Sequence, residues 1–171
     1  ATRTKLPAIR SRVHRVNESE DLTQGRLSMG YRIENYKRKS DAYAAVLGDM
    51  LLGGVSSSRL FKEIREKRSL AYSVGSGVDP ASGVSVISAG VDPDSVNDVI
   101  RLAKAQVKAL AHGRFKDSDL QPVYASFKKH LLSLADTPDS MINFSLGQIL
   151  GGRKDKSPQA VYDRYRRVTQ E

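Results

Sequence analysis

The run Ser58-Arg59-Leu60-Phe61-Lys62-Glu63-Ile64-Arg65-Glu66-Lys67-Arg68-Ser69-Leu70-Ala71-Tyr72-Ser73-Val74 changes character part-way along. Leu60, Phe61 and Ile64 form an apolar stripe at helical spacing, with Arg59, Lys62, Glu63 and Glu66 outside it. Ser56, Ser57 and Ser58 offer hydroxyl caps at the front of that helix, which should end near Ser69. Leu70 to Val74 is a strand by composition. A helix therefore ends and a strand begins inside one short segment. Arg65 falls near the helix end and Tyr72 on the strand, seven positions apart with the chain reversing between them. A guanidinium and a phenol on one side of such a junction can hydrogen-bond the carbonyls of an extended peptide. The same positions also suit plainer roles, a cation at a helix C-terminus and a half-buried strand residue.

Upstream, Leu27, Met29, Tyr31 and Ile33 alternate as in a half-buried strand over 24–33. Ser40 or Asp41 can cap the next helix, which is apolar from Tyr43 to Leu52 and stops at Gly53-Gly54. Downstream, the stretch from Gly75 to Gly83 reads as a turn region, and Val84 to Val91 as a strand antiparallel to the one before it. Asp92-Pro93 opens a long helix that Gly113 ends, with Val96, Val99, Ile100, Ala103, Val107 and Leu110 on one face. A further helix carries Leu120, Val123, Tyr124, Phe127, Leu131 and Leu134, with Pro122 expected in or near its first turn. Thr137-Pro138 starts another, whose Met141, Ile142, Phe144, Leu146, Ile149 and Leu150 predict a buried helix closed by Gly151-Gly152. Ser157-Pro158 starts a short last one. Strands and helices are segregated and no internal repeat is visible. The fold class is α+β, an antiparallel sheet covered on one face by helices.

The 171 residues suffice for one domain with a real core, assigned to 21–171, with the mixed-charge segment 1–20 as a linker or a partly ordered N-terminal segment. The start at Ala1 suggests a piece of a longer protein. No apolar run reaches the ~20 residues of a membrane span. The N-terminus lacks an apolar core like that of a signal peptide. Cysteine is absent, which excludes disulfides and thiolate metal sites and fits a cytoplasmic protein. The net charge of +9 is dispersed along the chain, and a 6% aromatic content with no binding motif argues against a nucleic-acid binder.

Chemistry-bearing motifs are scarce. His14, His112 and His130 stand alone, with no second histidine within a helical turn, so no paired zinc ligands exist. His112, just before Gly113, suits a helix C-terminus. The serines at 56–58 lack the Gly-x-Ser-x-Gly elbow of a nucleophile. Gly53-Gly54 lacks the Gly-Lys-Ser/Thr of a phosphate loop, and Gly75-Ser76-Gly77 lacks the third glycine of a dinucleotide loop. Asn143-Phe144-Ser145 matches a glycosylation sequon but falls in the helix expected to be buried.

Gly53-Gly54-Val55-Ser56-Ser57-Ser58-Arg59-Leu60-Phe61, Ile64-Arg65-Glu66-Lys67 and Leu70-Ala71-Tyr72-Ser73 together resemble the second homologous domain of pitrilysin-type (insulinase-type) zinc metallopeptidases, which include the processing peptidases. The segment 24–30, the run Ala89-Gly90-Val91-Asp92-Pro93, Gly113 and Leu150-Gly151-Gly152 agree, so the resemblance covers about 21–168. It implies a LuxS/processing-peptidase fold, a non-zinc half, and a His-x-x-Glu-His zinc motif in a first domain outside this chain. It also implies that Arg65 and Tyr72 hold peptide substrate opposite the metal, with Tyr72 as candidate support for the oxyanion. Zinc would belong to that other half. The implied partners are that half or a homologous subunit, and a peptide substrate; a homodimer through an uncovered face is a separate candidate that the residues leave open. No proteolysis is expected from this chain alone. The alternative is a non-catalytic partner subunit of the same fold. Two departures bear on this choice. Gly53-Gly54-Val55-Ser56 stands where many members carry three glycines and a methionine, and Ser69 replaces a common glycine. Both resemble a bacterial subgroup in which zinc motifs can be degenerate.

Overall fold

The computed structural model describes residues 25–33, 39–79, 82–150, 155 and 157–167. Three strands form an antiparallel sheet in the order β1-β3-β2, where β1 is Gly25–Arg32, β2 Ala71–Asp79 and β3 Val84–Val91. β1 shows the alternation expected from its sequence: Leu27, Met29 and Tyr31 point toward the core, and Arg26, Ser28 and Arg32 are exposed. In register these inward residues meet Ala89, Ile87 and Ser85 of β3. The opposite sheet face is lined mainly by serines, glycines and the two arginines of β1.

β2 is longer than its sequence suggests. Gly75, Ser76, Gly77 and Val78 continue the strand rather than turning, and pair with Ser88, Ile87, Val86 and Ser85. Glycine is a poor strand former for entropic reasons, but here the partner strand β3 is strong and the small residues are needed. The end of the first helix packs on them so closely that a β-carbon at Gly53 would stand 2.5 Å from the Ser76 backbone nitrogen.

Helix α1 (Lys39–Asp49) opens just ahead of Ser40 and Asp41 and widens into a π turn (Met50–Gly54). Gly53-Gly54 thus belongs to the helix's last turn, not beyond it. A second π turn (Phe61–Glu66) follows and buries Leu60 and Ile64 completely. The serines before it do not cap with their hydroxyls: Ser58 Oγ is buried without a hydrogen-bond partner among the described residues, and only its carbonyl accepts from Lys62 N–H (3.0 Å). Asp92-Pro93 leads through a short 3-10 turn into α2 (Val96–Ala111). Gly113, at φ +65°, ends it, with Arg114 N–H donating to Ala109 O at 2.9 Å.

α3 (Asp117–Ser133) starts early enough that Pro122 falls in its second turn rather than its first. Asp119 accepts from the Lys116 backbone N–H at 2.9 Å and closes that end. α4 (Pro138–Leu150) and α5 (Pro158–Tyr165) follow, the latter capped by Ser157 Oγ accepting from Ala160 N–H at 3.2 Å. Gly151-Gly152 lies outside the described residues.

The interior has two parts. One joins the inner sheet face to Leu52, Leu60, Ile64, Val99, Leu102 and Ala103. The other packs Leu47 and Leu51 of the first helix against α3 and α5 through Val123, Phe127, Leu131, Val161, Tyr162 and Tyr165. α4 departs from expectation: Ile142, Leu146, Ile149 and Leu150 are exposed, the last two to 73%. A helix apolar around most of its circumference does not reveal from its own sequence whether this chain supplies a partner for each face. Among the described residues, no helix is long and apolar enough to cross a membrane.

Candidate functional site

Arg65 and Tyr72 flank the turn from the second π turn into β2, and neither enters the core. The turn is held by its backbone. Ser69 adopts φ 51°, its N–H donates to Arg65 O at 3.1 Å, and Leu70 N–H donates to Ile64 O at 3.0 Å. This is a left-handed helix cap, occupied by serine at a position glycine would fill with less strain.

Nearby charges sort themselves around Glu63. It accepts from Lys67 Nζ, and from Arg68 Nη1 at 2.7 Å. Those hydrogen bonds, Lys67 first, hold its carboxyl below the usual range. Lys67 and Arg68 are thereby drawn back along the helix. Arg65 instead lies over the Phe61 ring, its guanidinium carbon 4.9 Å from the ring centroid. Stacking restrains the guanidinium plane while leaving its N–H groups available.

Tyr72 is placed by an irregularity in β2. Ala71 pairs with Val91 and Ser73 with Gly90, so Tyr72 is the extra residue of a bulge. A bulge resets the strand's phase and re-aims a side chain. Ala71 and Val74 both face the core side, three positions apart instead of two, while Tyr72 and Ser73 are exposed on the other face. The Tyr72 ring lies across Gly90: a β-carbon there would be 2.1 Å from its Cζ and 2.4 Å from its hydroxyl oxygen. Gly90 N–H also donates to Ser73 Oγ at 3.2 Å, tying the bulge to β3. Tyr72 remains 54% exposed. It is therefore a surface phenol resting on a glycine, rather than a half-buried strand residue.

Sequence reasoning missed Gly90 and Arg26, which pair in register on the exposed face. The available signals were a glycine inside a strand, which marks close approach, and the three-residue spacing from Ala71 to Val74.

Metal chemistry finds no support in the donor set. His112 Nδ1 lies 2.7 Å from Lys108 O at the end of α2, and His130 is exposed in the last turn of α3. His14 lies outside the described residues. Among the described residues no three histidine, aspartate or glutamate side chains gather as metal ligands. These residues do not fit a zinc centre, so no zinc-dependent step is assigned to them.

Comparison with known proteins agrees with this picture. Residues 3–127 match the family described as "Peptidase M16 inactive domain". The chain is 30% identical over 129 residues to a Bacillus subtilis protein named probable inactive metalloprotease YmfF, covering 75% of this chain and 30% of that one. It is 32% identical over 115 residues to an uncharacterized zinc protease of Rickettsia bellii, covering 66% of this chain and 28% of that one. The chain thus spans under a third of either relative. Among solved structures, a conserved protein from Enterococcus faecalis superposes with a TM-score of 0.76 at 22% identity, over 88% of this chain and 36% of that one. With its α+β architecture and a sequence match over most of its length, this chain belongs to the peptidase M16 (pitrilysin-type) inactive-domain family.

Proposed function

We propose that this chain is the substrate-contacting half of a zinc metalloendopeptidase, holding an extended peptide with Arg65 and Tyr72 opposite a zinc site carried by another half. The observation that carries the reading is the seating of Tyr72 across Gly90, with its hydroxyl over an open sheet face of small residues. A phenol fixed in that way donates a hydrogen bond without first being ordered, which suits a peptide carbonyl or a developing oxyanion. Arg65, restrained on Phe61, supplies the second donor group. Assignment of 21–171 to one domain, with 1–20 as a linker or partly ordered N-terminal segment and a cytoplasmic location, belongs to the same reading.

The test uses the complete protein, including any zinc-bearing half. Arg65→Ala and Tyr72→Phe should each lower turnover of an extended peptide by tenfold or more on the scale of lost transition-state donors. Circular dichroism and Tm should stay unchanged. Wild-type turnover in both variants rejects the assigned roles.

A second reading is a non-catalytic partner subunit, favoured by the name of the Bacillus relative, an inactive metalloprotease. Under it, the complete protein binds no zinc and cleaves no peptide, while peptide affinity still depends on Tyr72. Metal analysis together with a cleavage assay separates the two.

A further inference from the structure

The sheet register places one cation beside the Tyr72 seat. Arg26 pairs with Gly90, the residue that the Tyr72 ring covers. Both side chains are exposed and on the same sheet face. With strands about 4.8 Å apart, the backbones carrying Arg26 and Tyr72 lie about 10 Å apart, with only glycine between them. The phenol reaches over that gap from one side, and Arg26 stands on the strand that borders it on the other. Around them the face is low: Ser28 and Gly30 on β1, Ser88 on β3 and Gly75 on β2.

Charge on this face is unevenly placed. At the far end, Arg32 and Asp79 both pair with Val84 and so flank it, while Asp79 also accepts from Ser82 Oγ at 2.6 Å. At the Tyr72 end, the nearest carboxylate by register among the described residues is Asp92, two residues beyond Gly90 and just ahead of the 3-10 turn that leads into α2. Arg26 makes no ion pair with it or with any other group among the described residues. Arg65 belongs to the segment that enters β2 at this same end.

We infer that Arg26 is a specificity-determining residue that, with Tyr72, receives a carboxylate side chain of the bound peptide over Gly90. The inference rests on the peptide-holding reading and names its substrate class: extended peptides with an acidic residue at the position that crosses Gly90. A guanidinium meets a carboxylate through two parallel N–H donors, and the phenol supplies a third donor to the same oxygens. A chain with net charge +9 adds a favourable long-range field for such a ligand.

The experiment uses the complete protein and paired peptide pools, randomised at the flanks and identical except for Glu or Gln at the centre. Wild type should bind the Glu pool about tenfold more tightly, the scale of one charged hydrogen bond. Arg26→Gln should abolish that preference, bringing the Glu and Gln pools to equal affinity, and Arg26→Lys should restore part of it. Tyr72→Phe should weaken both pools. Equal binding of the two pools by wild type overturns the Arg26 assignment and leaves the peptide-holding role standing. So does a Glu preference that survives Arg26→Gln. Failure to bind either pool overturns both.

Discussion

The phenol of Tyr72 rests on the backbone of Gly90, which lies where any larger residue would displace it. One residue makes the other's position possible, and the bulge at Tyr72 supplies the aim.

Gly90→Ala separates the two. A β-carbon would meet ring atoms at 2.1 to 2.4 Å, but the ring belongs to an exposed side chain and can swing aside. The cost in stability should therefore be at the low end of overpacking, about 1 kcal/mol. Tyr72 ring resonances should shift by NMR, and peptide binding by the complete protein should fall toward that of Tyr72→Ala. Unchanged ring resonances would mean the ring does not sit there in solution.

Gly53→Ala should behave in the opposite way. Its β-carbon would stand 2.5 Å from Ser76 N and 2.9 Å from Gly75 C, both backbone atoms of a paired strand. Ser76 Oγ, 2.7 Å away, can rotate aside, but the two backbone atoms cannot. We expect a loss of about 3 kcal/mol or more, read as a lower Tm and denaturation midpoint. A loss below 1 kcal/mol would show that the helix end is not held against β2.

Ser69→Gly should stabilise the chain by up to about 1 kcal/mol. Ser69 holds φ 51°, a conformation glycine adopts without the clash of a β-carbon. The same denaturation midpoint measures it. Because Ser69 turns the chain between Arg65 and Tyr72, the gain should come without loss of peptide affinity.

Asp49 makes stability depend on pH. Burial raises its pKa, partly opposed by hydrogen bonds from Ser85 and Ser76; Ser85 Oγ donates to its carboxylate at 2.8 Å. A folded pKa above the unfolded one means the folded state binds the proton more tightly. The associated stability is fully present below the unfolded value, about 3.9, and is lost as pH rises through the folded value. Asp49→Asn keeps the acceptor for Ser85 and removes the titration. The stability of the variant relative to wild type should therefore increase with pH across the acid range in urea denaturation. A difference that stays flat with pH excludes Asp49 as the source.

Much of this was legible in the residues. Alternation marked β1 because a strand with one buried face must place apolar groups at every second position, and the pairing of β1 with β3 keeps Leu27, Met29 and Tyr31 inward. Pro93 and Gly113 bracketed α2 because their backbone preferences are local. The motif around Arg65 and Tyr72 pointed to the family that residues 3–127 match. The extension of β2 through Gly75-Ser76-Gly77 was not legible, because its small residues answer a helix end arriving from more than twenty positions earlier.

The sequence by itself determined the identity and order of most elements, the family, and the presence of an arginine and a tyrosine around one helix–strand turn. Those are matters of local propensity and pattern. Only the tertiary structure decided that Tyr72 lies on Gly90 with Arg26 on the strand beside it, and that Ile142, Leu146, Ile149 and Leu150 of α4 face outward. Such placements depend on which distant strand or helix fills the neighbouring space, and no window along the chain contains both sides of the contact.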